Sequence, residues 1–121
     1  MKTRTLRDPI YGAKVIAMSC PRAEMEAWTK AKKIEFEDDD DEDYVGCTFS
    51  TNQGDLVIWL SPKHEADEFV HECVHLVAQI FERAGVILDL KKGDEHFAYS
   101  VGYWWKRLEK FFKEPSSGSV K

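Results

Sequence analysis

Between Phe69 and Ala84 the chain sets Phe69, Val70, Cys73, Val74, Val77, Ile80, Phe81 and Ala84 at spacings of three and four, and it places His71, Glu72 and His75 among them. The spacing predicts a helix, running from Pro62 or from about Asp67 to Ala84, with Gly85 as its cap. Apolar residues cover most of the helix surface, which predicts a buried helix. Burying two imidazoles and a carboxylate costs several kcal/mol unless each finds a partner. This segment therefore limits the fold more than any other: the residues around it must both enclose it and satisfy its polar groups.

His71 and His75 are four residues apart, so they project from one face one turn apart and can share an ion. Zinc takes neutral imidazole nitrogen, and a catalytic zinc site has three protein ligands and one open position. Glu72 sits beside His71 and cannot easily join the same coordination sphere. It can reach a water in the open position and take its proton. The bland alternative is a pair of core histidines bonded to backbone. The placement of the motif on an apolar helix directly after a strand favours the metal. Cys73, inside the motif but turned away from the histidines, reads as a small buried hydrophobe.

The third ligand must come from elsewhere. Asp94, Glu95 and His96 cluster at the start of a last helix, Asp94 to Phe112 or Lys113. On it Glu95, Ala98, Tyr99 and Gly102 share a face, and Phe97, Val101, Trp104, Leu108 and Phe111 form the core stripe. Glu95 is the favoured ligand, with Asp94 and His96 as alternatives. Small Ala98 and Gly102 would let this helix come close to the histidine helix. Tyr99, one turn beyond Glu95, is placed to donate to a developing oxyanion. Asp94 and Glu95 could instead simply complement the helix dipole. His64 and Glu65 read as surface residues.

Elsewhere the chain reads as strands and loops. Residues 1–9 are polar and read as a loose arm. Ala13–Met18 reads as a strand, stopped by Ser19-Cys20-Pro21, and Arg22 to Ile34 reads as a helix. The acidic run Glu37 to Asp43 reads as a solvated loop; it lacks the ligand spacing and central glycine of an EF-hand. Tyr44–Ser50 and Leu56–Leu60 read as strands of an antiparallel hairpin joined at Asn52-Gln53-Gly54-Asp55. Ser61-Pro62 reads as a helix start. The expected order is β-α-β-β-α-α, an α+β class with a small antiparallel or mixed sheet packed on helices. One domain over 1–113 and a flexible tail over 114–121 are expected.

At 121 residues the chain can bury a core without a metal or disulfides, so a metal here serves chemistry rather than folding. The net charge of -5 and the scattered Lys and Arg argue against nucleic acid and against an anionic membrane. Three cysteines, Cys20, Cys47 and Cys73, make no disulfide framework and fit a reducing cytoplasm. No signal peptide and no membrane span are expected.

His71-Glu72-Cys73-Val74-His75 followed by a later glutamate resembles the gluzincin zinc metallopeptidases, and the order strand, HExxH helix, glutamate-bearing helix resembles their minimal core, as in minigluzincins. Asp94 to Tyr103 resembles small metallopeptidase-like proteins of bacteriophages and prophages. The resemblance implies a zincin-like fold, Zn(2+) held by His71, His75 and Glu95, and Glu72 as base for a zinc-bound water. The expected function is a zinc-dependent hydrolase, a metallopeptidase of the cytoplasm (the host's, if phage-encoded). Its peptide or protein substrate would lie against an edge strand, taken as Leu56–Leu60. The rival expectation is a non-catalytic zincin-fold protein that engages a host protein, with Glu37 to Asp43 as contact surface. Peptidases commonly add a subdomain beyond this core, and little chain follows Phe112 to build one.

Overall fold

Leu56-Val57-Ile58-Trp59-Leu60 is apolar at every position, which suits a strand covered on both faces. In the computed structural model, which describes residues 1–34, 44–87, 89 and 94–114, all five are buried. This is β4 (Leu56–Leu60). It lies between β2 (Lys14–Ser19), with which it runs parallel, and β3 (Gly46–Ser50), with which it runs antiparallel. Antiparallel β1 (Lys2–Arg7) completes a mixed sheet of order β1-β2-β4-β3. Parallel β2 and β4 need a crossover connection; it carries α1 (Arg22–Ala31) and β3. Two long helices follow, α2 (Ala66–Ala84) and α3 (Glu95–Lys113). The α+β class with a small mixed sheet is as expected.

Alternation along the strands sorts the core into two layers. Val15, Ala17, Leu56, Ile58 and Leu60 pack with α2 and α3. Ile16, Met18, Val57 and Trp59 pack with Met25 and Trp28 of α1 and with Cys47 and Phe49. Trp59 donates its indole N–H to Cys20 O at 2.9 Å. Between the long helices Phe69 stacks on Trp105 at 4.4 Å between centroids, and Phe81 meets Phe97 edge-on at 5.6 Å.

Four expectations are corrected. Residues 2–7 form a strand rather than a loose arm. β1 is an edge strand with only Leu6 buried, so its polar side chains conceal the backbone pairing that holds it. β4 is interior, so among the described strands the sheet edges are β1 and β3. Of the two starts expected for the histidine helix the later is found, at Ala66, behind a capping box between Glu65 and Glu68; the start at Ser61-Pro62 is not, and Ser61 closes a turn instead, accepting from Lys63 N. Helix α1 ends at Ala31, three residues short of Ile34. The hairpin turn is as expected, with Gly54 at φ +90°, and Gly85 caps α2 at φ +75°, conformations that favour glycine. Glu37 to Asp43 lies outside the described residues, as does 115–121.

The β1–β2 turn is fixed by Asp8, which is buried. Its carboxylate accepts from Ile10 N at 3.1 Å, Tyr11 N at 2.7 Å and the Trp104 indole at 3.0 Å, binding the turn to α3. Among the described residues no helix is long and apolar enough to cross a membrane.

Candidate metal centre

Helix α2 presents Phe69, Glu72, Cys73, Leu76, Val77, Ile80 and Phe81 to the core. His71 and His75 lie on its other side and are exposed, beside Val70 and Val74, which are 41% and 37% exposed. The helix is thus half-buried rather than enclosed. Sequence alone hides this because Val70 and Val74 are apolar yet face out. The histidines therefore need no ion to offset burial. Within the motif only Glu72 needs a partner.

The histidines nevertheless converge. Their Nε2 atoms stand 3.1 Å apart and the rings meet edge-on at 4.6 Å. Without an ion one ring donates and the other accepts. Two imidazole nitrogens on a tetrahedral zinc, each at about 2.0–2.1 Å, would be about 3.3 Å apart. Little adjustment separates the two arrangements, so the pair fits two corners of such a site.

Glu72 is 8% exposed, and β3 supplies its donor. Thr48 Oγ1 lies 2.9 Å from Glu72 Oε1 and 3.2 Å from Glu72 O. Gln79 Nε2 donates to Thr48 O at 3.4 Å, so helix and strand are latched on either side of this bond. Gly46 permits the approach: a Cβ there would lie 2.6 Å from Leu60 Cδ2, 3.1 Å from Glu72 Cγ and 3.2 Å from Trp59 O. Cys47 is the next residue along β3. Burial raises its thiol pKa, the Glu72 charge raises it further, and Arg22 opposes both. An open cleft of about 290 Å³ is lined by His71, Glu72, Asp67, Glu68 and Tyr44 to Gly46. A larger one, about 340 Å³, lies at the far end of α2 around Arg7, Lys14 and Arg83, away from the histidines.

The candidates on α3 do not join the pair. The helices run antiparallel, with Phe69 against Trp105, Cys73 Sγ 3.8 Å from Val101 O, and Phe81 against Phe97. Glu95 is exposed in the first turn of α3, at the level of Phe81. Six residues separate Phe81 from His75, roughly 9 Å along the axis. Asp94 is the N-cap of α3 and accepts from Phe97 N at 3.0 Å. His96 Nε2 is 2.6 Å from Tyr11 Oη and its ring lies against Phe81. Tyr99 is 74% exposed and lines a cavity with Pro9, Ile10 and His96 that contains neither His71 nor His75. Ala98 and Gly102 are exposed, and a Cβ on Gly102 would meet nothing within 4 Å, so they mark no close helix contact. Among the described residues no three His, Cys, Asp or Glu side chains come together as a metal group. Cys73 is fully buried, and burial pushes its thiol up to about 12.

Thr48 and Gly46 were not foreseen. The signal was the alternation in β3 of small or polar Gly46, Thr48 and Ser50 with Cys47 and Phe49, which marks one strand face as meeting something other than the apolar core. Compared with protein-family models, with curated proteins and with solved structures, the chain matches none.

Proposed function

We propose that the chain is a zinc-dependent hydrolase of the gluzincin type, acting on peptide bonds. The observation that carries this reading is the 3.1 Å convergence of His71 and His75 Nε2, one residue from a glutamate held on the adjoining strand by Thr48. His71 and His75 would hold the ion. Zinc, when bound, supplies Lewis acidity that polarises a carbonyl and lowers the pKa of a water to about 7. Glu72 takes the proton of the attacking water as oxygen bonds to the carbonyl carbon, and hands it to the amine as the C–N bond breaks. The peptide lies extended along β3, the sheet edge that carries Thr48, where backbone pairing can hold it.

Glu95 is the third ligand that the resemblance implies. From its place at the level of Phe81, the first turn of α3 would have to move to reach the histidines. That observation favours a second reading: a zincin-like binding protein without turnover that engages a host protein. Both readings place the chain in a cytoplasm. Mass spectrometry of protein purified without a histidine tag tests the site. One zinc per chain, lost in His71→Ala and in Glu95→Ala, establishes both the pair and the third ligand. Zinc kept in Glu95→Ala removes Glu95 from the site, and no zinc in the wild type removes the hydrolase reading.

A further inference from the structure

We infer that Thr48 is a positioning residue for Glu72: it fixes the carboxylate by Oε1 and so leaves Oε2 as the oxygen that exchanges protons. This rests on the proposal that Glu72 is the proton acceptor. Thr48 Oγ1 is 2.9 Å from Oε1 and 3.2 Å from the Glu72 carbonyl oxygen, so one hydroxyl spans the side chain and backbone of a single residue and restricts its rotamer. Glu72 is 8% exposed, and a hydrogen bond to a charged acceptor in such a place is stronger than one in water. On the side of β3 the Glu72 stem is closely packed, because a Cβ on Gly46 would lie 3.1 Å from Glu72 Cγ. The backbone of Thr48 is tied to the same helix, since its carbonyl accepts from Gln79 Nε2 at 3.4 Å.

The consequence is a division of labour within one carboxylate. Oε1 is held by the strand. Oε2 is left for the water whose oxygen attacks the carbonyl carbon, and for the return of that proton to the leaving nitrogen. Thr48 also stands on the strand along which the peptide is proposed to lie. Substrate and proton acceptor are thus registered by the same strand, Gly46–Ser50.

The experiment compares wild type, Thr48→Val, Thr48→Ser and Glu72→Gln, each incubated with zinc, by crystal structure and by hydrolysis of a quenched fluorogenic peptide library. In Thr48→Val the Glu72 carboxylate is expected to lose its single position in the density, with zinc content unchanged. The kcat is expected to fall by roughly 10- to 100-fold at unchanged KM. Thr48→Ser, which keeps the donor, restores both. Wild-type kcat in Thr48→Val beside an inactive Glu72→Gln overturns the positioning role and leaves Glu72 as base. If the wild type cleaves nothing, the hydrolase reading fails, and the density alone decides: Glu72 unmoved in Thr48→Val overturns the inference, and Glu72 displaced upholds the contact. Should Thr48→Val not fold, Thr48→Ala is read in the same way.

Discussion

His71 and His75 point their Nε2 atoms at one another across 3.1 Å on the exposed side of α2, while Glu72 between them turns into the protein. Accessible histidines can be loaded from solution without opening the fold, so zinc should stabilise the native state by mass action. At a free concentration of 100 times Kd the gain is about 2.7 kcal/mol, on the order of 10 °C in Tm for a chain of this size. Differential scanning calorimetry with and without zinc reads this shift. It should vanish in His75→Ala, whose metal-free Tm should stay near that of the wild type because the side chain is exposed.

Gly46→Ala should be costly although the residue lies at the start of an edge strand. The added methyl meets Leu60, Glu72 and the Trp59 carbonyl at 3.2 Å or less, and Leu60 is fully buried and cannot swing aside. A loss of about 1–3 kcal/mol is expected for overpacking, read from urea unfolding. Stability unchanged from wild type would mean that β3 stands further from α2 than described.

Asp8→Ala should destabilise more than an ordinary turn substitution. It strands the Trp104 indole N–H and the amides of Ile10 and Tyr11, and one stranded buried donor costs about 1–3 kcal/mol. Asp8→Asn, which keeps one oxygen acceptor, should lose less. Equal losses in the two variants would show that the carboxylate's second acceptor carries the whole effect.

The thiols give a pH prediction. Burial raises the pKa of Cys20, Cys47 and Cys73, the last from an ordinary 9.0 to about 12. A raised folded pKa means that the unfolded chain loses its protons first as pH rises. These thiols therefore contribute full stability below about pH 9, and Cys73 loses its share between there and about pH 12, with a limiting slope of roughly 1.4 kcal/mol per unit. Native protein at pH 8 should react with iodoacetamide far more slowly than unfolded protein. Fast labelling of Cys73 in the native state would contradict its burial.

How much could be read from the residues follows from where their signals lie. Asn52-Gln53-Gly54-Asp55 and Gly85 announce their turns because only certain residues tolerate a positive φ. The core stripe of α3 was legible because its aromatics repeat at helical spacing. The rotational setting of α2 was not: Val70 and Val74 count as core in any periodicity, and only the tertiary packing shows them facing out. Strand β1 was hidden because an edge strand needs backbone partners, not apolar side chains. Spacing alone made the His71–His75 pair visible. The level of Glu95 depends on how α3 slides along α2, which Phe69, Phe81 and their aromatic partners set, and no local pattern records that.

The joint between Asp8 and Trp104 spans 96 positions in the chain, and Arg107 reaches back to the Arg7 carbonyl at 3.0 Å. Contacts so distant in sequence are slow to form, since a long loop must close before they yield any free energy. Until α3 docks, the carboxylate that organises the first turn has no indole to hold, and the side of α2 that meets α3 lacks its cover. Docking of the last helix therefore both completes the first turn and covers apolar surface of α2 that would otherwise face neighbouring chains.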